Sequence, residues 1–182
     1  VVWQVDSVDD YRLVVEPYVG HALREGRRLH YVRFARHEPL VSGTDGAHVT
    51  FVDPAQGFEG FATAVHRIVA DAGTGAFFVF DCLSDLLDVW HSDLSVMNFF
   101  KVTCPFLFEL DTIAYFALLR NEHTFETIAG IRGTTQLLLD LYDIDGSLYV
   151  HPLKVWERYS PSMFFPHLLE GDQAHSITSS GA

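Results

Sequence analysis

Residues 77–87 read FFVFDCLSDLL. With Ala76 in front, AFFVF is the most continuous apolar run of the chain, and it reads as a strand at the centre of a sheet, closed by Asp81. Upstream, Val1–Val5 is a short buried strand ending in the polar turn Asp6-Ser7. From Asp9 to Glu25 the apolar residues Tyr11, Val14, Val15, Tyr18, Val19, Ala22 and Leu23 fall at helical spacing. Ser7 or Asp9 can cap that helix, Gly26 ends it, and Pro17 lies inside it as a potential kink. Arg28–Ala35 is the second strand, Ser42–Gly46 a loop, and His48–Val52 a third strand closed by Asp53-Pro54. A second amphipathic helix carries Phe58, Phe61, Ala62, Val65, Ile68 and Val69 and breaks at Gly73.

Downstream of Asp81, a helix is expected over Leu94–Leu110, with Pro105 as a kink, and a buried strand over Thr112–Leu119. The polar group Arg120-Asn121-Glu122-His123 leaves that strand as a helix start or a ligand contact, and a long helix is expected from Thr124 to Leu141. Leu148–Trp156 alternates like a strand, and Met163–Leu169 is its expected hairpin partner. Strands alternating with helices imply an α/β fold, a mostly parallel sheet with helices on both faces and an antiparallel C-terminal hairpin. No linker or repeat divides residues 1–170, and the small, polar stretch 171–182 is expected to be a loosely held, flexible tail. Ligands of such sheets bind outside the carboxyl ends of the strands. That rule selects Asp6, Ser7, Arg33, Arg36, Asp53, Asp81, Arg120 and Asn121.

Composition narrows the partners. The 182 residues are 48% apolar, enough to fill one core. The formal net charge of −12, with no basic tract, argues against nucleic acid and against an anionic membrane surface. Cys82 and Cys104 lie among apolar residues and read as reduced, buried thiols of a cytoplasmic protein. No stretch reads as a signal peptide or a membrane span. Residue 1 is Val, so an earlier natural start is expected.

An apolar strand ending in Asp resembles the Walker B strand of P-loop proteins, whose Asp helps to hold Mg²⁺ beside the phosphates. Asp81 is therefore the expected metal residue, for Mg²⁺ with ATP, if a nucleotide binds at all. TIAYFALLRN and the terminal LYVHPLKVWERYSPSMFF resemble the second half of a KaiC-like domain. That resemblance implies a basic hairpin meeting the nucleotide of a neighbouring subunit, with Lys154, Arg158 and Ser160 near the positions concerned. A phosphate-binding loop is missing: the first strand is followed by Asp6-Ser7-Val8-Asp9-Asp10, without glycine or lysine, and its carboxylates repel a triphosphate. Glu38 falls roughly where KaiC-like ATPases carry their water-activating glutamate, but beside Pro39 it reads as a turn residue.

A closer resemblance is carried by VDSVDDYRLVVEPY, GRRLHYVRFARHEPL, GAFFVFDCLSDLL, the long block TCPFLFELDTIAYFALLRNEHTFETIAGIRGTTQLLLDLY and LYVHPLKVWERYSPSMFFPH. These segments resemble the RecA/KaiC-like amino-terminal domain of phosphoenolpyruvate-synthase-like proteins of the pyruvate phosphate dikinase family. The resemblance implies a non-catalytic regulatory or assembly domain with a degenerate phosphate loop, in a parent chain that is a phosphotransferase. Its partners would be downstream domains of the same chain or another subunit, as in a homo-oligomer. A residual ATP-binding domain acting as an oligomer is the alternative. The expected site is Asp6, Ser7, Arg36, Asp81, Ser84, Arg120 and Asn121, joined by Lys154 and Arg158, with no catalytic residue among them. The phosphohistidine signature of such synthases is not found, and Ala174-His175-Ser176 does not match it. The histidines show no metal spacing. Ser84-Asp85 with a distant His lacks the G-x-S-x-G elbow of a hydrolase.

Overall fold

The computed structural model describes residues 1–41 and 46–169, and the backbone of Ile177–Ser179. Most of the expected loop 42–46 and the Ala174–Ser176 segment lie outside the described residues. One sheet organises the rest. Its strands are β1 (Val2–Val5), β2 (Leu29–Arg33), β3 (Ala47–Phe51), β4 (Phe77–Cys82), β5 (Ile113–Leu119), β6 (Leu137–Ile144), β7 (Ser147–Val155), β8 (His167–Leu169) and β9 (Ile177–Ser179). They lie in the order β3-β2-β4-β5-β1-β6-β7-β8-β9. The six from β3 to β6 run parallel, and β7, β8 and β9 are added antiparallel. The expected α/β class, mostly parallel sheet and antiparallel C-terminal strands are all present.

The helices are α1 (Val8–Arg24), α2 (Gly57–Ala72), α3 (Leu87–Trp90), α4 (Asp93–Glu109) and α5 (Phe125–Thr134). Their boundaries follow local chemistry. Ser7 caps α1 by accepting the Asp10 N–H at 3.1 Å, and Asp9 and Asp10 complement the helix dipole. Gly73 closes α2 at φ 71°, a left-handed value that suits glycine. Ser92 and Thr124 cap α4 and α5 in the same manner as Ser7.

Two apolar clusters divide the sheet. Phe78, Phe80, Phe116 and Leu138 pack with α2, α4 and α5, whereas Phe77, Val79, Ala117 and Leu139 pack with α1. Neighbouring residues of β4 thus enter different clusters, as period-two alternation requires of a strand buried on both faces. All six residues of β4 are buried, as expected of a central strand. Asp81 does not end that strand but lies within it.

The expected helix from Thr124 to Leu141 is corrected. It stops at Thr134, Thr135 turns extended at ψ 151°, and Leu137–Ile144 is a strand beside β1. Its Leu138 and Leu139 enter opposite clusters, which a helix at that place would not allow. The expected antiparallel pairing of Leu148–Trp156 with Met163–Leu169 is present as β7 with β8, and a tighter hairpin that was not expected precedes it. β7 turns back on β6 through Asp145-Gly146, both at positive φ (53° and 81°), and β8 joins the outer side of β7. Asp-Gly at positive φ is the chemistry of a two-residue hairpin turn. Of the tail 171–182, only Ile177–Ser179 is described, as β9.

Candidate functional site at the carboxyl ends of the strands

The connection after β1 crosses toward β2, and the connection after β5 leads the other way, to β6. The β1/β5 gap is therefore the place where a parallel sheet opens a ligand crevice. Here it is closed. The Arg120 guanidinium donates to Asp6 at 2.6 Å and to Asp140 at 2.7 Å, and reaches the Leu141 carbonyl at 3.1 Å. Burial works against the Arg120 charge, but the bonds to Asp6 and Asp140 more than reverse this and raise its pKa. One side chain thus ties the ends of β1 and β5 to the middle of β6. Beside them α1 begins directly at Val8, with the Ser7 hydroxyl donating to Asp10 at 2.8 Å. Asn121 is exposed and turns the chain at φ 65°, so its place is explained by the bend.

Asp81 has a different environment. Its side chain is fully buried, accepts the N–H groups of Phe34 at 2.8 Å and Ala35 at 2.9 Å, and accepts the hydroxyl of Tyr31. Tyr31 in turn accepts the Leu40 N–H at 3.0 Å. The carboxylate therefore fixes the chain that leaves β2, rather than facing outward as a Mg²⁺ ligand would. Arg33 Nε lies 3.9 Å from it, and His37 Nε2 lies 3.6 Å from Asp81 and 3.7 Å from Asp85. Arg33 Nε, His37 Nε2 and Asp85 Oδ2 are buried atoms without hydrogen-bond partners. Burial pushes the Asp85 carboxyl up, His37 opposes this, and Asp81 and Asp88 add to it, leaving it at about 6.

An open cavity of about 440 Å³ adjoins this cluster. Arg36, His37, Asp53, Asp85 and Asp88 line it together with apolar walls that include Phe34 and Phe51. Three carboxylates against one arginine and one histidine make a poor seat for a triphosphate. Glu38 is exposed and does not line the cavity.

Ser84 belongs to a relay that sequence reasoning missed. Its Oγ accepts the Leu119 N–H at 2.8 Å and lies 2.8 Å from His123 Nε2, while His123 Nδ1 lies 2.6 Å from Asp93. Asp93 also accepts the Thr124 N–H and hydroxyl. Burial raises its carboxyl, but hydrogen bonds from Thr124, His123 and Thr127 prevail and hold it at about 2. The order Ser-His-Asp matches a hydrolase relay in connectivity, but the His123 side chain is wholly buried and Ser84 is 6% exposed. A substrate carbonyl has no approach to that hydroxyl. The relay instead joins the chain after β4 to the starts of α4 and α5.

The two basic residues expected from the hairpin do not join the others. Lys154 pairs with Leu138 at the start of β6, so it lies at the amino ends of the parallel strands. Its ammonium donates to the carbonyls of Arg132 at 2.7 Å and Gly133 at 3.1 Å, capping the end of α5. Arg158 is exposed beyond β7, and Ser160 pairs with Ser162. Both cysteines are free and buried, and burial pushes the Cys82 thiol up to about 12. Among the described residues, no three His, Cys, Asp or Glu side chains are grouped to hold a metal ion, and no helix is long and apolar enough to cross a membrane.

Fold and site together define an α/β protein whose sheet crevice is closed from within by its own ion pairs. Compared with known proteins, the chain matches no family model and no curated sequence.

Proposed function

We propose that the chain is a non-catalytic regulatory or assembly domain on a three-layer RecA/KaiC-like framework, the accessory part of a phosphoenolpyruvate-synthase-like phosphotransferase. The observation that carries this reading is the Asp6–Arg120–Asp140 clamp in the crevice between β1 and β5. A nucleotide domain needs free N–H groups and a cation there. This chain offers an arginine already held by two carboxylates, and a helix start already capped by Ser7. The mostly parallel sheet with antiparallel C-terminal strands is the framework that the resemblance requires.

Assembly is supported by the segment after β7. Tyr159 is 92% exposed, Phe165 60%, and Trp156 47% with its ring set edge-on to Phe108. Large rings grouped this openly mark a surface that another domain or a second copy covers. In the alternative, a residual nucleotide site completed by a neighbour, Arg158 is the hairpin cation that no described residue engages, because Lys154 is spent on α5.

Thermal unfolding with and without millimolar ATP and Mg²⁺ tests the reading. The expected result is an unchanged Tm, since a ligand at a hundred times its Kd would add about 2.7 kcal/mol. A saturable rise in Tm with ATP concentration would sink the non-nucleotide reading. Sedimentation of wild type and Trp156→Ala tests the assembly surface, where the variant should associate less.

A further inference from the structure

On the α1 side of the sheet, away from the strand ends just described, a groove of about 570 Å³ runs between α1 and the C-terminal strands. Its size is that of a small-molecule site. Trp3, Tyr115, Leu139 and Val150 form part of its floor, and Leu13 and Pro17 of α1 part of one wall. The floor is rigid: Tyr18 stacks on Tyr115 at 3.9 Å and on Phe77 at 5.4 Å. The Tyr18 hydroxyl donates to the Ile113 carbonyl at 2.6 Å, so it is already spent.

The charge of the lining differs from that of the chain. Among the described residues, no aspartate or glutamate lines the groove, in a protein with 24 acidic residues against 12 lysines and arginines. The polar side chains at its margin are His21, Arg158 and His167. Among the described residues, Arg158 pairs with no carboxylate. Trp3 adds a buried indole N–H without a partner. A guanidinium binds a carboxylate through two parallel hydrogen bonds, and the apolar floor removes a hydrocarbon tail from water.

We infer that this groove binds an apolar monocarboxylic acid, with the tail over Trp3 and Tyr115 and the carboxylate at Arg158. The site does not depend on whether the domain binds nucleotide, so the two readings fail separately. It also fits the lining that the described residues give: a carboxylate among them would repel a single anionic head.

Titration calorimetry with hexanoate, octanoate and decanoate, below their micelle concentrations, tests the inference on the whole chain. Saturable one-to-one binding should tighten about fourfold per added methylene, following about 0.8 kcal/mol per buried CH₂. Decanol should bind at least about tenfold more weakly than decanoate, a charge-assisted contact being lost. Arg158 is exposed, so Arg158→Ala should keep the wild-type Tm and lose about tenfold in decanoate affinity, with Arg158→Lys in between. Leu13→Trp, on the half-open α1 wall, should weaken every acid alike. Decanoate should also change the fluorescence of wild type but not of Trp3→Phe. Absence of saturable binding would overturn the assignment. So would equal affinity for acid and alcohol that Arg158→Ala leaves unchanged, which is adsorption to apolar surface. A dimer dispersed by Leu13→Glu, with no response to acids, would overturn it in favour of a second copy in the groove.

Discussion

Replacing Asp81 by Asn separates a structural carboxylate from a metal-binding one. In the wild type, one carboxylate oxygen accepts two backbone N–H groups, from Phe34 and Ala35, and the other accepts the Tyr31 hydroxyl. An amide has one acceptor oxygen: with that oxygen toward Phe34 and Ala35, its NH₂ faces the Tyr31 hydroxyl, which must turn from donating to accepting beside the Leu40 N–H it already accepts. The change also removes the negative charge facing Arg33 and His37, whose nearest atoms lie 3.9 and 3.6 Å away. A hydrogen bond to a charged group contributes about 1.5–3 kcal/mol, and breaking a buried pair from one side costs about 3–5 kcal/mol. With the side chain wholly buried, that second range applies without solvent screening, and about 3–5 kcal/mol is expected. At about 2–4 °C per kcal/mol for a chain of this size, Tm should fall by about 6–20 °C. Circular dichroism melts and urea titration measure both quantities, and the urea m-value should not change. A carboxylate held in reserve for Mg²⁺ behaves in the opposite way: it is uncompensated in the free protein, and its neutralisation stabilises. A Tm for Asp81→Asn equal to or above wild type, or a Mg²⁺-dependent rise in wild type that the variant lacks, would refute the reasoning.

The other expectations concern the neighbouring groups. Burial raises the Asp85 carboxyl from 3.8 to about 6, so the native state binds more protons than the unfolded chain between those values, and stability should fall as pH rises from about 4 to about 6. Asp85→Asn should remove that slope and be more stable than wild type at pH 7, by about 1 kcal/mol after allowing for partial exposure; an identical pH profile would count against it. Ser84→Ala strands the Leu119 N–H and a nitrogen of buried His123, and should cost about 1–3 kcal/mol in urea titration. Hydrolysis of nitrophenyl esters should be the same in both proteins, and a serine-dependent acyl-enzyme burst would show that the relay is open. A Cβ built on Gly130 falls 2.2 Å from Met97 Sδ, so Gly130→Ala must displace that flexible side chain, and against the about 1 kcal/mol that Ala gains over Gly in a helix the net cost should be at most about 1 kcal/mol. Met97→Ala in the same chain should recover part of it, and no recovery would place the strain elsewhere.

The fold was legible where patterning was one-sided. The period of Tyr11, Val14, Val15 and Tyr18 gives α1, and the unbroken AFFVF gives β4, because burial on one stripe and burial on two faces leave different marks in a sequence. The helix expected over Thr124–Leu141 failed at its second half. Leu137–Leu141 follows a helix whose last turn reads Arg132-Gly133-Thr134, with Thr135 rather than glycine at its cap, and LLLDL satisfies strand and helix templates alike. The Asp145-Gly146 turn was the signal that would have corrected it, since it places a hairpin between Ile144 and Ser147. Among the site residues, Asp6 and Arg120 could be assigned to strand ends, but not to each other. Their bond spans 114 positions, and no local pattern records it. The Ser84–His123–Asp93 relay is hidden for the same reason, and the groove over Trp3 and Tyr115 exists only once α1 and β7 share one face.

At the carboxyl ends of the strands, Arg120, Ser84 and Asp81 are held by their neighbours, whereas Arg36, Asp53 and Asn121 stay exposed. Arg120 is bound to Asp6 and Asp140, Ser84 to His123 and Leu119, and Asp81 to Tyr31, Phe34 and Ala35. A phosphate entering the β1/β5 crevice must displace two carboxylates from Arg120 and then remain beside them, since Asp6 and Asp140 stay on the strands that form the walls. Desolvating those carboxylates without their cation costs several kcal/mol before any phosphate contact forms. The same bonds tie the β1/β5 crevice and the end of β4 together, while Arg33 Nε, His37 Nε2 and Asp85 Oδ2 beside them stay without partners. The β1/β5 crevice is closed, but the cavity beside Asp85 opens at the same end of the sheet, so the polar side chains left open there are Arg36, Asp53 and Asp88 rather than Arg120, Ser84 and Asp81.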